Sequence, residues 1–166
     1  RLSSIFDVRM KDGNYRNKKG AFTLGILDTK LLLEGPIKKD SSSYLISFRC
    51  LPWLFLFNKI VITQQNFTYL FYDLNAKLNF KINSTNFVYL SIYSGDDQLS
   101  VTSGEENQKN YFANKWGNKL ISARWNKIVT KSLFLNTTVA YTKFRYSNSY
   151  GFRINKNSKD VYYYSN

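Results

Sequence analysis

The stretch FYDLNAKLNFKIN, residues 71–83, alternates apolar and polar side chains. Its even positions from Tyr72 to Ile82 are apolar, and its odd positions from Asp73 to Lys81 are polar. This alternation predicts a β-strand with one apolar face and one polar face. In a soluble sheet the apolar face packs on a core, whereas in a membrane barrel it faces lipid. The remaining sequence has to decide between these two environments.

Similar alternation recurs along the chain, and no segment shows a convincing helical period. The other predicted strands are 21–26, 29–35, 43–50, 87–95, 116–126, 132–141 and a last one from about residue 160. The sequence therefore predicts an all-β fold of about eight meandering antiparallel strands.

Composition excludes several classes of function. The chain has 166 residues, one cysteine, no histidine and a net charge of +13. One cysteine cannot form an intrachain disulfide, and a chain without histidine cannot use histidine for catalysis or metal ligation. The sequence has no run of about 18 apolar residues, so no transmembrane helix is predicted. We expect no enzymatic activity, no catalytic residues, no metal and no cofactor. The positive charge predicts an anionic neighbour, such as nucleic acid, anionic lipid or lipopolysaccharide.

The connections between predicted strands alternate in length. Short breaks are expected near 35–40, 83–86 and 130–131, and long ones near 51–66, 96–113 and 147–159. If every strand pairs with the next, all long loops leave at one end of the sheet. Long outer loops over short periplasmic turns are typical of outer-membrane barrels. We expect the apolar loop 51–66 to fold back onto the barrel and the polar loop 97–114 to be mobile.

The polar positions suit a barrel lumen better than a soluble core, because water or a plug can satisfy their charges. The predicted lumen-facing or plug-contacting residues are Arg49, Asp73, Asn75, Lys77, Lys81 and Arg124. The predicted lipid-facing residues are Leu74, Leu78, Phe80, Leu90, Ile92, Leu135 and Val139. Substitution of a lumen residue, as in Lys77→Leu, is expected to be tolerated for folding.

Four segments carry a family resemblance. RLSSIFDVRMKDGN, residues 1–14, is similar to the end of the plug domain of TonB-dependent outer-membrane transporters, especially of the Bacteroidetes type. KLLLEGPIKKDSSSYLISFR, residues 30–49, resembles the stretch in which the second barrel strand ends in an E-G-P-[IL] turn. Segments 71–83 and 116–126 resemble later strands. On this basis Gly35 and Pro36 are predicted in the first periplasmic turn, with Pro36 ending the strand.

The resemblance implies a 22-stranded transmembrane β-barrel closed by an N-terminal plug in the bacterial cell outer membrane. Residues 1–16 would end the plug and its linker, and residues 17–166 would begin the barrel. The chain is too short for 22 strands and shows no TonB box, so a fragment is expected. The implied function is energy-coupled uptake of a nutrient of unknown class: siderophore, glycan or peptide. Asp7 and Arg9 are candidate partners for the lumen charges.

The resemblance also implies partners: outer-membrane lipid and lipopolysaccharide, the rest of the barrel and plug, a TonB-type energy-transducing complex and a surface lipoprotein lid. Two alternatives stay open. One is a complete small eight-stranded outer-membrane barrel with a structural or adhesion role. The other is a soluble basic β-sandwich that binds glycans or nucleic acid. Nucleic acid is disfavoured, since Lys77 and Lys81 lie opposite Leu78 and Phe80, away from the apolar face.

Overall fold

The computed structural model describes residues 10–51, 66–105, 108–154 and 161–165. Its strands are β1 Lys19–Leu24, β2 Thr29–Lys38, β3 Ser42–Cys50, β4 Asn66–Lys81, β5 Asn86–Glu105, β6 Gln108–Ile128, β7 Phe134–Ile154 and β8 Val161–Ser165. The expected all-β antiparallel fold is confirmed. Within the described ranges, no helix is long and apolar enough to cross a membrane.

The eight strands form one open sheet in chain order, and each pairs antiparallel with the next. From β3 to β7 the register runs without a shift. Since side chains alternate along a strand, each row of cross-strand partners keeps to one face. One such row is Glu34, Leu45, Lys77, Ser91 and Ser122. We call this side the polar face and the opposite side the apolar face.

Burial on the two faces is the reverse of that in a soluble protein. Lys77 and Glu34 on the polar face are only 5% and 3% exposed. On the apolar face Val139 is 71% exposed and Ile121 is 57% exposed. Soluble domains rarely bury lysine and glutamate side chains, even as ion pairs, and they rarely leave a continuous apolar face uncovered. The described residues form one sheet, and no second layer of them covers the apolar face.

The predicted polar loop between residues 96 and 113 is wrong. β5 and β6 continue through this region and stay paired as far as Glu105 and Gln108. β7 likewise extends to Ile154, past the predicted break at residue 147. In these strand ends the apolar side chains change to the other face, at Leu99 and Val101 in β5 and at Tyr150 and Phe152 in β7, which interrupts the periodicity. Ladder hydrogen bonds join backbones and continue through this change. The loop 52–65 and residues 155–160 lie outside the described residues, as do Asp7 and Arg9.

The predicted turn at Gly35 and Pro36 is also wrong. Both residues lie within β2, where Gly35 pairs with Tyr44 and Pro36 pairs with Ser43. β1 pairs with β2 only as far as Glu34, so a proline beyond that point lies on a stretch with one uncovered edge. A register shift between Pro36 and Lys38 absorbs the irregularity, and the turn follows at residues 39–41.

The connections at this end of the sheet are short turns built from local hydrogen bonds. Between β4 and β5, Asn83 Oδ1 accepts hydrogen bonds from the backbone N–H groups of Thr85 and Asn86, at 3.0 and 2.9 Å. In the first turn Asp40 has a positive φ of 57°, which aspartate tolerates better than most residues. These short turns join consecutive antiparallel strands at the same end of the sheet.

Candidate functional site

Residues 10–18, which we call the N-terminal segment, lie against the polar face. Gly13 is buried, and a Cβ atom added there would lie 2.1 Å from the carbonyl oxygen of Tyr44 and 3.2 Å from the backbone nitrogen of Leu45. Such a distance is far below van der Waals contact, so only glycine allows this approach. The segment therefore touches the backbone of β3 directly.

Two ion pairs connect the start of this segment to Glu34 and Lys77, which lie in the same row of cross-strand partners. Lys11 Nζ lies 3.0 Å from Glu34 Oε1, and Asp12 Oδ1 pairs with Lys77 Nζ. The Lys77 ammonium also donates a hydrogen bond to the carbonyl oxygen of Met10, at 3.1 Å. Because Lys77 and Glu34 are buried, these partners compensate charges that would otherwise cost several kcal/mol each.

The end of the segment is held at the first turn. Arg16 Nε lies 3.0 Å from Asp40 Oδ1, and the Asp40 backbone N–H donates to the Tyr15 carbonyl oxygen at 3.1 Å. The Arg16–Asp40 pair is exposed and contributes little. Partial burial raises the pKa of the Tyr15 phenol above its ordinary value, and the nearby Asp12 carboxylate acts in the same direction. The segment is thus anchored mainly by its buried pairs.

A second network lies farther along β3, β4 and β5. Arg49 Nε donates to Asp73 Oδ2 at 3.1 Å, and its Nη2 lies 3.0 Å from the same oxygen. Tyr93 Oη donates to Asp73 Oδ1 at 2.8 Å. Both carboxylate oxygens are therefore satisfied. Arg49 also lies over the Phe71 ring, with its Cζ 4.9 Å from the ring centroid. At Gly95, opposite Asp73, an added Cβ would lie 2.5 Å from Tyr93 Oη.

Beside the N-terminal segment, the polar face forms an open cleft of about 830 Å³. Arg124 lies over the Tyr89 ring at 4.6 Å, and Lys77 Nζ lies 5.5 Å from the same centroid. Among the described residues, Arg124 Nε and Asn126 Oδ1 are buried and have no hydrogen-bond partner. The cleft therefore offers cations, amides and an aromatic ring to a polar neighbour.

The structure brings the predicted polar residues onto one face. Their cross-strand registers place Arg49, Asp73, Asn75, Lys77, Lys81 and Arg124 on the polar face. Lys81 is at an exposed strand end, away from the ion pairs. The registers place Leu74, Leu78, Phe80, Leu90, Ile92, Leu135 and Val139 on the apolar face. That these faces meet lumen and lipid stays a prediction.

Sequence reasoning missed the residues that complete the site. The predicted turn includes Glu34, although this residue lies in β2 and pairs with Lys11. Nothing in the sequence marks Asp12 as a partner of Lys77, from which it is separated by 65 residues. Tyr93 stands in the predicted alternation, but nothing there indicates its bond to Asp73. The adjacent opposite charges of Lys11 and Asp12 could have suggested ion pairing, but only the fold shows which residues they pair with.

The described residues contain no cluster of three or more cysteine, aspartate or glutamate side chains that could hold a metal ion. Comparisons of this chain with protein-family models, with curated proteins and with solved structures found no match.

Proposed function

We propose that this chain is part of a plugged outer-membrane β-barrel that takes up a nutrient in an energy-coupled, TonB-dependent manner. The observation that carries the proposal is the reversed burial: buried ion pairs on one face of the sheet and large exposed apolar side chains on the other. In a bilayer, lipid tails cover such an apolar face, and only a closed barrel satisfies its backbone groups.

The apolar band on β6 has a suitable height. Lys119 and Lys127 lie on the apolar face, with Ile121, Ala123 and Trp125 between them on that face. At about 3.4 Å per residue in an antiparallel strand, the two lysines are roughly 27 Å apart along the strand. Outer-membrane barrels carry an apolar band of about 25 Å, somewhat less than the length of a tilted strand. The band is therefore of the right order for one membrane crossing.

The uptake function is supported by the N-terminal segment. It is held on the polar face mainly by ion pairs and by a glycine contact, with an open cleft beside it. A segment held in this way fits the end of a plug that an inner-membrane complex displaces. The same proposal gives the chain no catalytic role and takes the remaining barrel and plug as its partners.

The two alternatives fit less well. A complete eight-stranded barrel requires its first and last strands to pair, yet in the described residues β1 pairs only with β2 and β8 only with β7. A soluble sandwich requires a second sheet over the apolar face, and the described strands belong to one sheet. The plugged larger barrel would supply both the missing strands and a lipid covering.

Detergent dependence tests the membrane assignment. The purified chain should be monodisperse in neutral detergent and should aggregate when the detergent is removed, as judged by size-exclusion chromatography with light scattering. A bilayer-facing surface of this kind has no other means of avoiding association. Monodisperse behaviour in plain buffer would contradict the membrane assignment and favour the soluble sandwich.

Growth tests the uptake function. A strain lacking the gene and a strain lacking the TonB-type complex should show a shared defect on one source among iron chelates, glycans and peptides. Complementation with the intact gene should restore growth only when the energy-transducing complex is present. Full growth of the deletion strain on every source would argue against uptake and favour a structural role.

A further inference from the structure

Two lysines face each other directly across β6 and β7 on the apolar face. Lys119 is the cross-strand partner of Lys143, and both side chains are exposed. Like charges in directly opposed positions destabilise a sheet. No described residue forms an ion pair with either lysine. The sheet therefore carries an uncompensated repulsion at this point.

Neighbouring residues add to the charge. Lys115 and Arg145 lie on the same face, close to the opposed lysines and farther from the tight turns. Among the described residues, Asp96 is the acidic residue on this part of the apolar face. It already accepts from Arg145 Nη2 at 3.0 Å and from Tyr72 Oη at 2.7 Å. We call Lys115, Lys119, Lys143 and Arg145 the basic patch.

The basic patch lies at the border of the apolar band. The next row toward the tight turns pairs Ile121 with Tyr141, whose side chains are 57% and 65% exposed. A lipid whose tails cover these two residues would bring its headgroup beside Lys119 and Lys143. The patch lies near the middle of β6 and β7, on the side of the apolar band away from the tight turns, which is the outer side in a barrel of the proposed kind.

We propose that the basic patch binds the phosphate groups of lipopolysaccharide in the outer leaflet. Phosphates placed between Lys119 and Lys143 would turn their repulsion into attraction, and Lys115 and Arg145 would contact the same headgroup from the row beyond. The apolar row below would hold the acyl chains. This inference rests on the proposed membrane location and adds a defined lipid site to it.

The test compares two variants that lose the same charge. The full chain in neutral detergent micelles is titrated with lipopolysaccharide and, separately, with dephosphorylated lipopolysaccharide, by isothermal calorimetry. Lys119→Gln/Lys143→Gln should weaken binding of the phosphorylated lipid about 25-fold, at about fivefold for each basic residue near an anionic surface. The matched control Lys38→Gln/Lys39→Gln, in and beside the first turn, should change it less than about twofold.

A conservative pair keeps the test valid if the glutamine variant folds poorly. Lys119→Arg/Lys143→Arg retains both charges and should bind as the parent chain does, with β-sheet circular dichroism recorded for every variant. In the absence of lipid the glutamine variant should melt no lower than the parent, since it relieves a repulsion.

Three results would overturn the lipid site: unchanged affinity in the glutamine variant, an equal loss in the turn control, or binding of soluble inositol hexakisphosphate as tight as that of the lipid. None of these results depends on whether the chain needs detergent. A failure of the lipid site is therefore distinguishable from a failure of the membrane assignment.

Discussion

At the scale of single residues, the Asp12–Lys77 pair is asymmetric. The Lys77 side chain is 6% exposed, whereas that of Asp12 is 48% exposed. Removing the carboxylate leaves a buried ammonium whose remaining hydrogen-bond acceptor, among the residues that the structure describes, is the Met10 carbonyl. Removing the ammonium leaves a carboxylate that water can reach. We therefore still expect substitution of Lys77 to be tolerated for folding, because it leaves no buried charge without a partner, although it removes one ion pair that holds the N-terminal segment.

This asymmetry predicts different effects for the two halves of the pair. Asp12→Asn should cost about 3 kcal/mol of local stability, at the low end for a broken buried pair, whereas Lys77→Met should cost about 1 kcal/mol or less. Amide hydrogen exchange at Asp40, whose N–H donates to Tyr15, reports opening of the segment. Protection there should fall about a hundredfold for Asp12→Asn and about fivefold or less for Lys77→Met.

The double variant Asp12→Asn/Lys77→Met serves as the control. It removes the buried charge together with its partner, so it should be more protected than Asp12→Asn alone. Equal losses in both single variants would show that Lys77 is not a desolvated charge in solution.

At Gly95, neighbouring side chains leave no room for a Cβ atom, so a larger residue would clash with them. A Cβ atom there would lie 2.5 Å from Tyr93 Oη and 2.8 Å from Asp73 Oδ1. Gly95→Ala should therefore break the Tyr93–Asp73 hydrogen bond and cost about 1–3 kcal/mol. Urea unfolding in detergent, followed by tryptophan fluorescence, measures this loss.

The Tyr93→Phe background tests the proposed cause. It removes the hydroxyl that the new methyl group would strike, so Gly95→Ala should cost less in the Tyr93→Phe chain than in the parent. An identical cost in the two backgrounds would assign the effect to backbone conformation and not to the hydroxyl contact.

At the scale of elements, the N-terminal segment and the sheet are complementary in charge. Lys11 meets Glu34, Asp12 meets Lys77, and Arg16 meets Asp40, so the charges alternate on both partners. A shift of the segment by one residue would place Asp12 against Glu34 in one direction or Lys11 against Lys77 in the other, and either contact joins like charges. The pattern therefore sets the register of the segment as well as its attachment.

Gly13→Ala should detach the segment as a unit. The new Cβ would strike the Tyr44 carbonyl oxygen, which belongs to a paired strand and cannot move aside cheaply. Trypsin should then cleave after Lys11 and Arg16 at least about tenfold faster, if the loss of local stability exceeds about 1.4 kcal/mol. Mass spectrometry of a timed digest identifies the two sites.

Gly20→Ala provides the comparison for this digest. The nearest atom there, a Leu33 methyl group, lies at 3.3 Å on a flexible side chain, so cleavage at Lys11 and Arg16 should stay near the parent rate. Unchanged cleavage in Gly13→Ala would contradict the close packing of the segment on β3.

The strands themselves could be predicted where one face is apolar. In β4 the alternation around Leu74 and Leu78 is regular, and the structure has a strand there with those residues on one face. The alternation is interrupted at Asp96 and Asp97, because the apolar side chains that follow, Leu99 and Val101, lie on the opposite face while backbone pairing continues. The prediction that Pro36 ends its strand was wrong because the missing N–H of a proline disrupts a strand only where a neighbouring strand would accept that hydrogen bond.

The site could be predicted only in part. Arg49 and Asp73 are predicted on one face because each occupies a polar position of its own strand, and they do form an ion pair. The contact of Asp12 with Lys77 depends on where residues outside the sheet return to it, which periodicity does not encode. The opposed Lys119 and Lys143 required the register of β6 and β7. Contacts between strands thus depend on register, which a single strand pattern leaves open.

At the scale of the whole molecule, the described residues form a single open sheet, and none of them forms a layer over its apolar face. Fully burying one large apolar side chain is worth about 1.5–3 kcal/mol, so the row Leu78, Leu90 and Val139 alone represents several kcal/mol of unrealised stability in water. The buried Glu34 and Lys77 on the other face are already paired with Lys11 and Asp12. The balance of the fold therefore depends on what covers the apolar face, and lipid is the covering that the proposed function supplies.

A pair of arginine substitutions on one strand tests which face meets lipid. Leu78→Arg places a charge in the apolar band and should cost about 2–4 kcal/mol in a bilayer. Asn75→Arg adds the same charge to the same strand but points into the open cleft, where water and neighbouring polar groups receive it. Folding of each chain into lipid vesicles, measured by urea titration, should therefore be impaired for Leu78→Arg and little changed for Asn75→Arg. If Asn75→Arg is the more damaging substitution, the apolar face is covered by protein and the polar face is not a lumen, because a buried charge is costly only where water cannot follow it.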